Sequence, residues 1–317
     1  MEKAVHYASG NQFDDLRINI DESIHGQEAW LEKVRKVEPP RSLLRNTFRR
    51  TYSTFLTRIG LRPFLVNQGF INEWFLEFLD YWSSCLGGRP IDLLDFHMLR
   101  FHYRKKFQSL EIEPWKSSEA HLANWQNPQN IHSIFYFVHR YALDPSRGMS
   151  VVPLISNNSR VLEYGCAIAP SYRTYREYFN HKRLTWVLAD IANFPFHYAR
   201  HSYACDPDVQ FQLIREDMFA DPLREVEDAF DVMFVNEVFE HLDHPLAIAE
   251  YLLERLRPGG LFMFDYVLSD AEGLDTPGGL MERSATLSFL KKRLDVLEGA
   301  ILEESETSVS QCICRKK

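Results

Sequence analysis

The second half of the sequence predicts a doubly wound, mostly parallel α/β sheet, and the first half predicts a mostly helical region before it. After residue 147, short apolar segments alternate with stretches of helical spacing, as they do in strand–helix–strand units. Before residue 110, apolar residues recur at intervals of three and four, which indicates amphipathic helices. The 317 residues are enough for two such regions, which we place at residues 1–145 and 146–317.

The distribution of charge separates the same two regions. The whole chain carries a formal charge of −8, which argues against a general nucleic-acid binder because such proteins usually carry a basic surplus. Residues 1–150 contain 19 Lys or Arg and 17 Asp or Glu, whereas residues 151–317 contain 17 and 27. A run of four arginines between Arg41 and Arg50 has nearly helical spacing. It is either a solvated helix face or a site for an anionic substrate or partner.

The N-terminal region is predicted to form helices over residues 51–59, 70–86, 91–107 and 131–141. Two glycines and a proline in the run Gly87–Pro90 end the second of these helices before the third begins. Aromatic side chains are dense between Phe70 and Trp82. They predict a core or a homodimer interface first, and an aromatic pocket second.

The sequence also predicts the compartment. No run reaches the roughly 18 consecutive apolar residues that a membrane span needs, and residues 1–7 lack the apolar core of a signal peptide. The five cysteines are odd in number and scattered, unlike a disulfide framework. Cys312 and Cys314 lie in an alternating pattern that predicts a strand. We therefore expect a soluble, cytoplasmic protein that binds neither membranes nor nucleic acids.

Strands are predicted in the second half over residues 160–165, 184–189, 209–214, 230–235 and 261–264. Glu163 lies near the end of the first of these, Asp190 follows the second, and Asp217 follows the third. Doubly wound sheets bind ligands outside the carboxyl ends of their strands, where the strand order reverses. The acids therefore predict a ligand site at this edge of the sheet.

Five motifs in this order resemble those of the class I S-adenosylmethionine-dependent methyltransferases. The resemblance spans about residues 131–317, and it rests on Val161–Ala167, Asp190–Asn193 with Ala199-Arg200, Glu216–Met218, Phe230–His241 and Leu256–Gly260. The fourth motif is similar to that of the branch that includes the ubiquinone-pathway O-methyltransferases. The resemblance implies a Rossmann-like fold, S-adenosyl-L-methionine as cofactor, and methylation of a small-molecule acceptor, with oxygen favoured over nitrogen or carbon.

The resemblance also implies a cofactor site made of Glu163, Gly165, Cys166, Ala167, Asp190, Ile191, Asp217, Met218, Asn236 and Glu237. It assigns Glu163 and Gly165 to the methionine end. The Asp190 carboxylate suits both ribose hydroxyls, because an ionised carboxylate accepts two donors well. The resemblance further places Ile191 against the adenine ring, and Asp217, with Met218 beside it, at the adenine amino group. Strand-end acids also cap helices, and this alternative stays open for Asp190 and Asp217.

The turn after the first strand departs from the family pattern. Gly165 is retained, but Ala167 and Ala169 stand where glycines are common, and alanine disfavours positive φ. We expect a slightly altered turn rather than a lost site. The alanines also motivate an alternative function, a non-catalytic binding or assembly protein that keeps the methyltransferase fold. A nicotinamide dehydrogenase fits less well, since no Gly-x-Gly-x-x-Gly follows the strand.

His241 is the candidate catalytic base, because it follows the fourth strand and an unperturbed imidazole titrates near neutral pH. The alternative is a histidine that packs or caps at the start of a helix. Asp265 and Tyr266 either face the substrate or are structural. The segment Leu268–Gly279 is either a lid or a surface excursion. The N-terminal region is expected to cover the cofactor and shape the substrate pocket.

Two histidine clusters raise the question of a metal site. One consists of His197, His201 and Cys205 at intervals of four residues, and the other of Glu237, His241 and His244. The first lies on the helix after the second strand, which in this fold faces away from the site. We therefore expect no metal.

Overall fold

A seven-stranded sheet flanked by helices is the centre of the fold. The structure is a computed structural model that describes residues 73–88, 90–108, 117–143, 151–268, 275–303 and 308–317. The described residues form two compact units that divide between Met98 and Leu99. The predicted domain boundary at 145/146, the helix over 51–59 and the arginines from Arg41 to Arg50 lie outside the described residues.

The described part of the first unit contains α1 (Glu73–Ser84) and the beginning of α2 (Leu93–Gln108). Both helices confirm the sequence prediction. Asp92 starts α2 through a reciprocal cap, in which the backbone N–H of Asp95 donates to the Asp92 carboxylate at 2.9 Å and Asp92 donates back at 3.1 Å. The rings of Phe78 and Phe96 meet edge to face at 4.8 Å, so the aromatic residues of this unit form a core.

The second unit begins with the rest of α2, followed by α3 (Ser118–Trp125) and α4 (His132–Leu143). Ser117 caps α3 by accepting a hydrogen bond from the backbone N–H of Ala120. No residue of α3 is fully buried. Helix α4 confirms the helix predicted over residues 131–141.

The sheet consists of β1 (Arg160–Tyr164), β2 (Thr185–Ile191), β3 (Val209–Ile214), β4 (Phe230–Val235), β5 (Leu256–Tyr266), β6 (Leu294–Glu298) and β7 (Val309–Lys316). The spatial order is β3-β2-β1-β4-β5-β7-β6. Strands β1 to β5 are parallel, and β7 runs antiparallel to both β5 and β6. The order reverses between β1 and β4, which confirms the doubly wound, mostly parallel fold.

The helices of the sheet region are α5 (Pro170–Thr174), α6 (Phe194–Tyr203), α7 (Pro245–Arg255), α8 (Pro277–Met281) and α9 (Arg283–Arg293). The hydrophobic core lies between these helices and the central strands, where Leu162 of β1 pairs in register with Met233 of β4 and both are fully buried. Among the described helices, none is long and apolar enough to cross a membrane.

Strand β5 starts earlier than the sequence predicts. Residues 256–260, which precede the strand predicted over 261–264, belong to β5 and contain a bulge. Phe230 pairs with Leu256, and Val232, only two residues further along β4, pairs with Leu261. Gly259 has a φ of +74°, which lets the extra residues fold out of the ladder.

Candidate active site

A cavity of about 720 Å³ opens in the second unit at the carboxyl ends of β1, β2 and β4, where the strand order reverses. Nine of the ten predicted cofactor residues and the candidate base line it: Glu163, Gly165, Cys166, Ala167, Asp190, Ile191, Asp217, Asn236, Glu237 and His241. Met218 does not line the cavity, because its side chain is buried in the hydrophobic core. The sheet therefore brings together residues that are up to 78 positions apart in the sequence.

The turn after β1 holds its backbone in the left-handed region at three positions. Gly165 has a φ of +65°, and a Cβ atom there would lie 2.3 Å from Cγ2 of Val238. Ala167 and Ala169 have φ values of 48° and 55°. Both alanines thus adopt the conformation that alanine disfavours, at a cost of about 1–2 kcal/mol for each residue. Hydrogen bonds offset this cost, since the Ala169 N–H donates to the Cys166 carbonyl at 2.6 Å.

Asp190, at the end of β2, is buried and organises this turn. Its Oδ2 accepts from the backbone N–H of Ala167 at 2.7 Å, and its Oδ1 accepts from the Ile191 N–H at 2.7 Å and the Asn193 amide at 2.9 Å. Burial raises the pKa of Asp190 to about 6, and the three hydrogen bonds limit the rise. The cap of α6 is Asn193, which accepts from the Phe196 N–H. The helix-cap alternative for Asp190 is therefore wrong.

Glu163 caps the N-terminus of α5, a structural role that the sequence did not predict. Its two carboxylate oxygens accept hydrogen bonds of 3.0 Å from the backbone N–H groups of Ser171 and Tyr172. These donors belong to the first turn of α5, whose N–H groups have no partner within the helix. Glu163 thus ties β1 to α5 beneath the turn at Gly165, while still lining the cavity.

Asp217 lies at the rim of the cavity on the one-turn helix Glu216–Met218. Its side chain is 62% exposed and forms ion pairs with Arg224 and, at 3.5 Å, with Arg215. The hydrogen bond from Arg224 is the main reason that the pKa of Asp217 is lowered. The Asp217 carboxylate therefore forms ion pairs. It does not cap this helix, whose N-cap position is occupied by Arg215.

The turn after β4 presents Asn236 and Glu237 to the cavity. The buried Oδ1 of Asn236 has no hydrogen-bond partner among the described residues. Glu237 pairs with Arg140 of α4 at 3.3 Å, and its backbone N–H donates to the Asp265 carboxylate at 2.5 Å. Neither Asp265 nor Tyr266 is among the described residues that line the cavity. Asp265 holds the turn, and the Tyr266 hydroxyl donates to the Gly279 carbonyl, so their contacts are structural.

His241 lies at the other end of the cavity, against α3. It ends the one-turn helix Phe239–His241, whereas α7 begins only at Pro245, so His241 does not start a long helix. The His241 ring meets the Trp125 ring edge to face at a centroid distance of 5.0 Å. Its Nδ1 lies 3.7 Å from Oδ1 of Asp275.

Helix α3 supplies a wall of the cavity that sequence reasoning missed. Ser118, His121, Leu122 and Trp125 line it at positions i, i+3, i+4 and i+7, which is one helix face. This spacing was the signal that could have identified them. The Trp125 indole N–H donates to Nε2 of His121 at 3.1 Å. Burial and then the charge of His241 lower the pKa of His121 to about 4, so its ring is neutral at pH 7.

The lining of the cavity is acidic. The described lining residues include six carboxylates and no Lys or Arg: Glu163, Asp190, Glu216, Asp217, Glu237 and Asp243. Aromatic rings line it as well: Trp125, Phe137, Tyr141, Tyr164 and Phe219. Asp217 and Glu237 pair with arginines outside the described lining, and the other four carboxylates give the lining a negative charge that favours cations over anions.

The two histidine clusters considered for a metal have different surroundings. His197 is buried in α6, and Cys205 is exposed. His244 is 70% exposed and lies near Asp243 and Glu282. In the part of the chain that the structure describes, no three His, Cys, Asp or Glu side chains are placed to hold a metal ion.

The sequence of this region matches one family. Residues 129–300, more than half of the chain, match the family described as "Methyltransferase domain". No curated protein matches the sequence.

Solved structures of similar fold include methyltransferases of several kinds. The N-methyltransferase NodS from Bradyrhizobium japonicum WM9 is 15% identical, and the match covers 54% of this chain and 93% of NodS with a TM-score of 0.40. An O-methyltransferase family protein from Burkholderia thailandensis is 13% identical over 70% of each chain, with a TM-score of 0.44. TrmN from Thermus thermophilus is 14% identical over 56% of this chain and 51% of TrmN, with a TM-score of 0.40.

Proposed function

Since the chain belongs to the methyltransferase-domain family and is a class I, S-adenosylmethionine-dependent methyltransferase, we propose that it methylates an oxygen atom of a small aromatic acceptor without anionic groups. The observation that carries the proposal is the cavity lining, which combines aromatic rings and carboxylates with no Lys or Arg among the described residues. We propose the class of the acceptor and the atom that is methylated, whereas methyl transfer itself follows from the family.

The residues at the carboxyl ends of β1, β2 and β4 fit S-adenosylmethionine. The absence of a side chain at Gly165 lets the backbone approach a ligand closely, and the buried Oδ1 of Asn236 offers an acceptor for the cofactor's ammonium group. The negative lining suits a ligand that carries both an ammonium and a sulfonium. When bound, this cofactor supplies an electrophilic methyl group.

Asp190 is proposed to hold the ribose. A carboxylate has about four acceptor positions, and Oδ1 already accepts two hydrogen bonds whereas Oδ2 accepts one. The one acceptor position that is not yet used is on Oδ2. We therefore propose that Asp190 accepts a hydrogen bond from one ribose hydroxyl rather than from both. Ile191 packs on the adenine ring in this arrangement, and Asp217 accepts from the adenine amino group at the rim. Met218 contributes only by anchoring its turn in the core.

The acceptor is proposed to lie between this end of the cavity and α3. Trp125 and Phe219 offer ring faces for an aromatic acceptor. His241 lines the same space and takes the proton of the acceptor hydroxyl. The similarity of Phe230–His241 to the ubiquinone-pathway branch supports a phenolic hydroxyl as the acceptor group.

The non-catalytic alternative was motivated by Ala167 and Ala169. Because both residues adopt positive φ and the turn stays hydrogen-bonded to Asp190, that motivation is weakened. The retained turn supports binding of the cofactor, and turnover with an acceptor distinguishes the two functions.

The test measures formation of S-adenosylhomocysteine by the full chain with matched acceptors. A catechol is compared with the same ring carrying a carboxylate or a phosphate. We expect turnover of the neutral catechol and at least about a tenfold lower kcat/KM for the anionic analogues, which corresponds to roughly 1.4 kcal/mol of repulsion. A preference for the anionic rings would overturn the acceptor class. Failure of cofactor-stripped protein to bind S-adenosylmethionine in calorimetry would overturn the cofactor site.

A further inference from the structure

The Asp275 carboxylate lies beside the candidate base although the two residues are 34 positions apart in the sequence. Oδ1 of Asp275 is 3.7 Å from Nδ1 of His241, and the two side chains are only 10% and 18% exposed. At this distance the two side chains form an ion pair whenever the His241 imidazole is protonated. Because both groups are largely shielded from water, the pair is stronger than one on the surface.

The position of Asp275 is set by the next residue, Thr276. The Thr276 N–H donates to the Glu240 carbonyl at 2.9 Å, and its hydroxyl donates to the Leu242 carbonyl. The same hydroxyl oxygen accepts from the Gly279 N–H at 2.7 Å. Thr276 thus fastens the beginning of α8 to the two residues that flank His241.

Close packing reinforces this attachment. A Cβ atom at Gly278 would lie 1.7 Å from the Asp243 carbonyl oxygen, and one at Gly279 would lie 2.4 Å from the Glu240 carbonyl oxygen. Only glycine allows α8 to approach the backbone around His241 so closely. Residues 275–279, the described end of the segment Leu268–Gly279, therefore pack closely against the backbone around His241.

Other titratable groups lie near His241 and Asp275, and the Arg283 guanidinium of α9 is close enough to Asp275 to interact with its charge. His121 faces His241 from α3 and is neutral at pH 7, because the pKa of His121 is lowered to about 4. Glu240, directly before His241, is buried, and burial raises its pKa to about 9. Glu237 pairs with Arg140. The Asp275 carboxylate lies in ion-pair range of the His241 ring.

We propose that Asp275 is a positioning residue that orients His241 through Nδ1 and stabilises its protonated form, so that Nε2 accepts the proton of the acceptor hydroxyl. This inference rests on the proposed function. The acceptor O–H bond breaks and its proton passes to Nε2, while the acceptor oxygen forms a bond to the methyl carbon. The carbon–sulfur bond breaks with its electron pair remaining on sulfur, and the imidazolium then loses the proton to solvent.

The experiment compares Asp275→Asn with a matched control, Asp295→Asn, on the exposed face of β6. Histidine-labelled full-length protein is titrated by NMR, and the His241 signal is assigned by its loss in His241→Gln. In Asp275→Asn we expect the midpoint of the His241 titration to move to lower pH by about one unit, while Asp295→Asn leaves it unchanged. With an active acceptor, we expect the acid limb of the kcat profile to move in the same direction and kcat to fall by roughly tenfold or more.

A third variant, Asp275→Glu, separates charge from folding. It keeps the carboxylate, so we expect it to restore most of the His241 midpoint. An unchanged midpoint in Asp275→Asn would overturn the inference. The same midpoint in Asp275→Glu and Asp275→Asn would also overturn it, because the charge would then have no effect. Since the NMR midpoint requires no turnover, a shifted midpoint in a chain that methylates no acceptor would support the pair and contradict the proposed function.

Discussion

The carboxylate of Asp190 accepts a hydrogen bond of 2.7 Å from the backbone N–H of Ala167. This bond joins the end of β2 to the turn after β1, and it holds Ala167 at a φ of 48°. A residue type that disfavours this conformation is thus kept in it by a buried acid. Asp190 and Ala167, which belong to separate motifs in the sequence, therefore form one structural unit.

Ala167→Gly is expected to stabilise the protein. Relief of the backbone strain at positive φ raises the free energy of unfolding by about 1–2 kcal/mol. The greater conformational freedom of glycine in the unfolded chain lowers it by about 0.4–1 kcal/mol. We therefore expect the free energy of unfolding to rise by about 0.5–1 kcal/mol in urea denaturation. Ala199→Gly, inside α6, is the control and should lower it by about 1 kcal/mol or more, because the methyl group that is lost is also buried. A loss of stability at residue 167 would contradict the assignment of strain.

Gly165→Ala is expected to lower the free energy of unfolding by about 2–5 kcal/mol. The added methyl group meets Val238 at 2.3 Å, which costs about 1–3 kcal/mol as overpacking, and the positive φ adds about 1–2 kcal/mol. In a Val238→Ala background only the second contribution should remain. Chemical denaturation of the four proteins measures the difference, and an equal cost in both backgrounds would exclude the steric contact.

The affinity for S-adenosylmethionine is expected to fall as the pH drops below about 6. The pKa of Asp190 is raised from 3.8 to about 6 in the folded protein, and only the ionised carboxylate accepts hydrogen bonds at both oxygens. Calorimetry should give about tenfold weaker binding at pH 5 than at pH 7. Asp190→Ala should weaken binding at pH 7 by about 1.5–3 kcal/mol and flatten the pH profile. If Asp190→Ala showed the same pH dependence as the unaltered protein, the proposed contact between Asp190 and the ribose would be excluded.

Glu240→Gln is expected to stabilise the protein above neutral pH. Burial raises the pKa of Glu240 from 4.5 to about 9, so the folded state favours the protonated acid. The resulting stability is complete below pH 4.5 and is lost as the pH rises through 9, by about 1.4 kcal/mol per unit between these values. Denaturation at pH 5, 7 and 9 should show a flatter profile for Glu240→Gln than for the unaltered protein. Glu298→Gln, on exposed β6, should keep the original slope.

His241→Ala is expected to lower kcat by roughly 100-fold or more with the dissociation constant of the cofactor unchanged, because a positioned base contributes to transfer and not to cofactor binding. His181→Ala is the control, since His181 is exposed and outside the described cavity lining. Steady-state rates from pH 5 to 9 measure the effect. Full activity of His241→Ala across that range would exclude His241 as the base.

Strand-end acids illustrate how far spacing alone can predict a site. Glu163, Asp190 and Asp217 were placed at one edge of the sheet because parallel strands end together, and all three line the cavity. Their hydrogen bonds were not predictable. Glu163 bonds the start of α5 and Asp217 pairs with arginines, because each acid contacts whichever donors the turns bring near it.

The sequence by itself determined the doubly wound sheet, since alternation of short apolar segments with helical stretches allows few other arrangements, and it determined which residues lie at the carboxyl ends of the strands. Tertiary structure alone decided the positive φ of Ala167 and the pairing of His241 with Asp275. Backbone strain and contacts between distant segments depend on the summed hydrogen bonding and packing of the folded chain. No local pattern of residues encodes that sum.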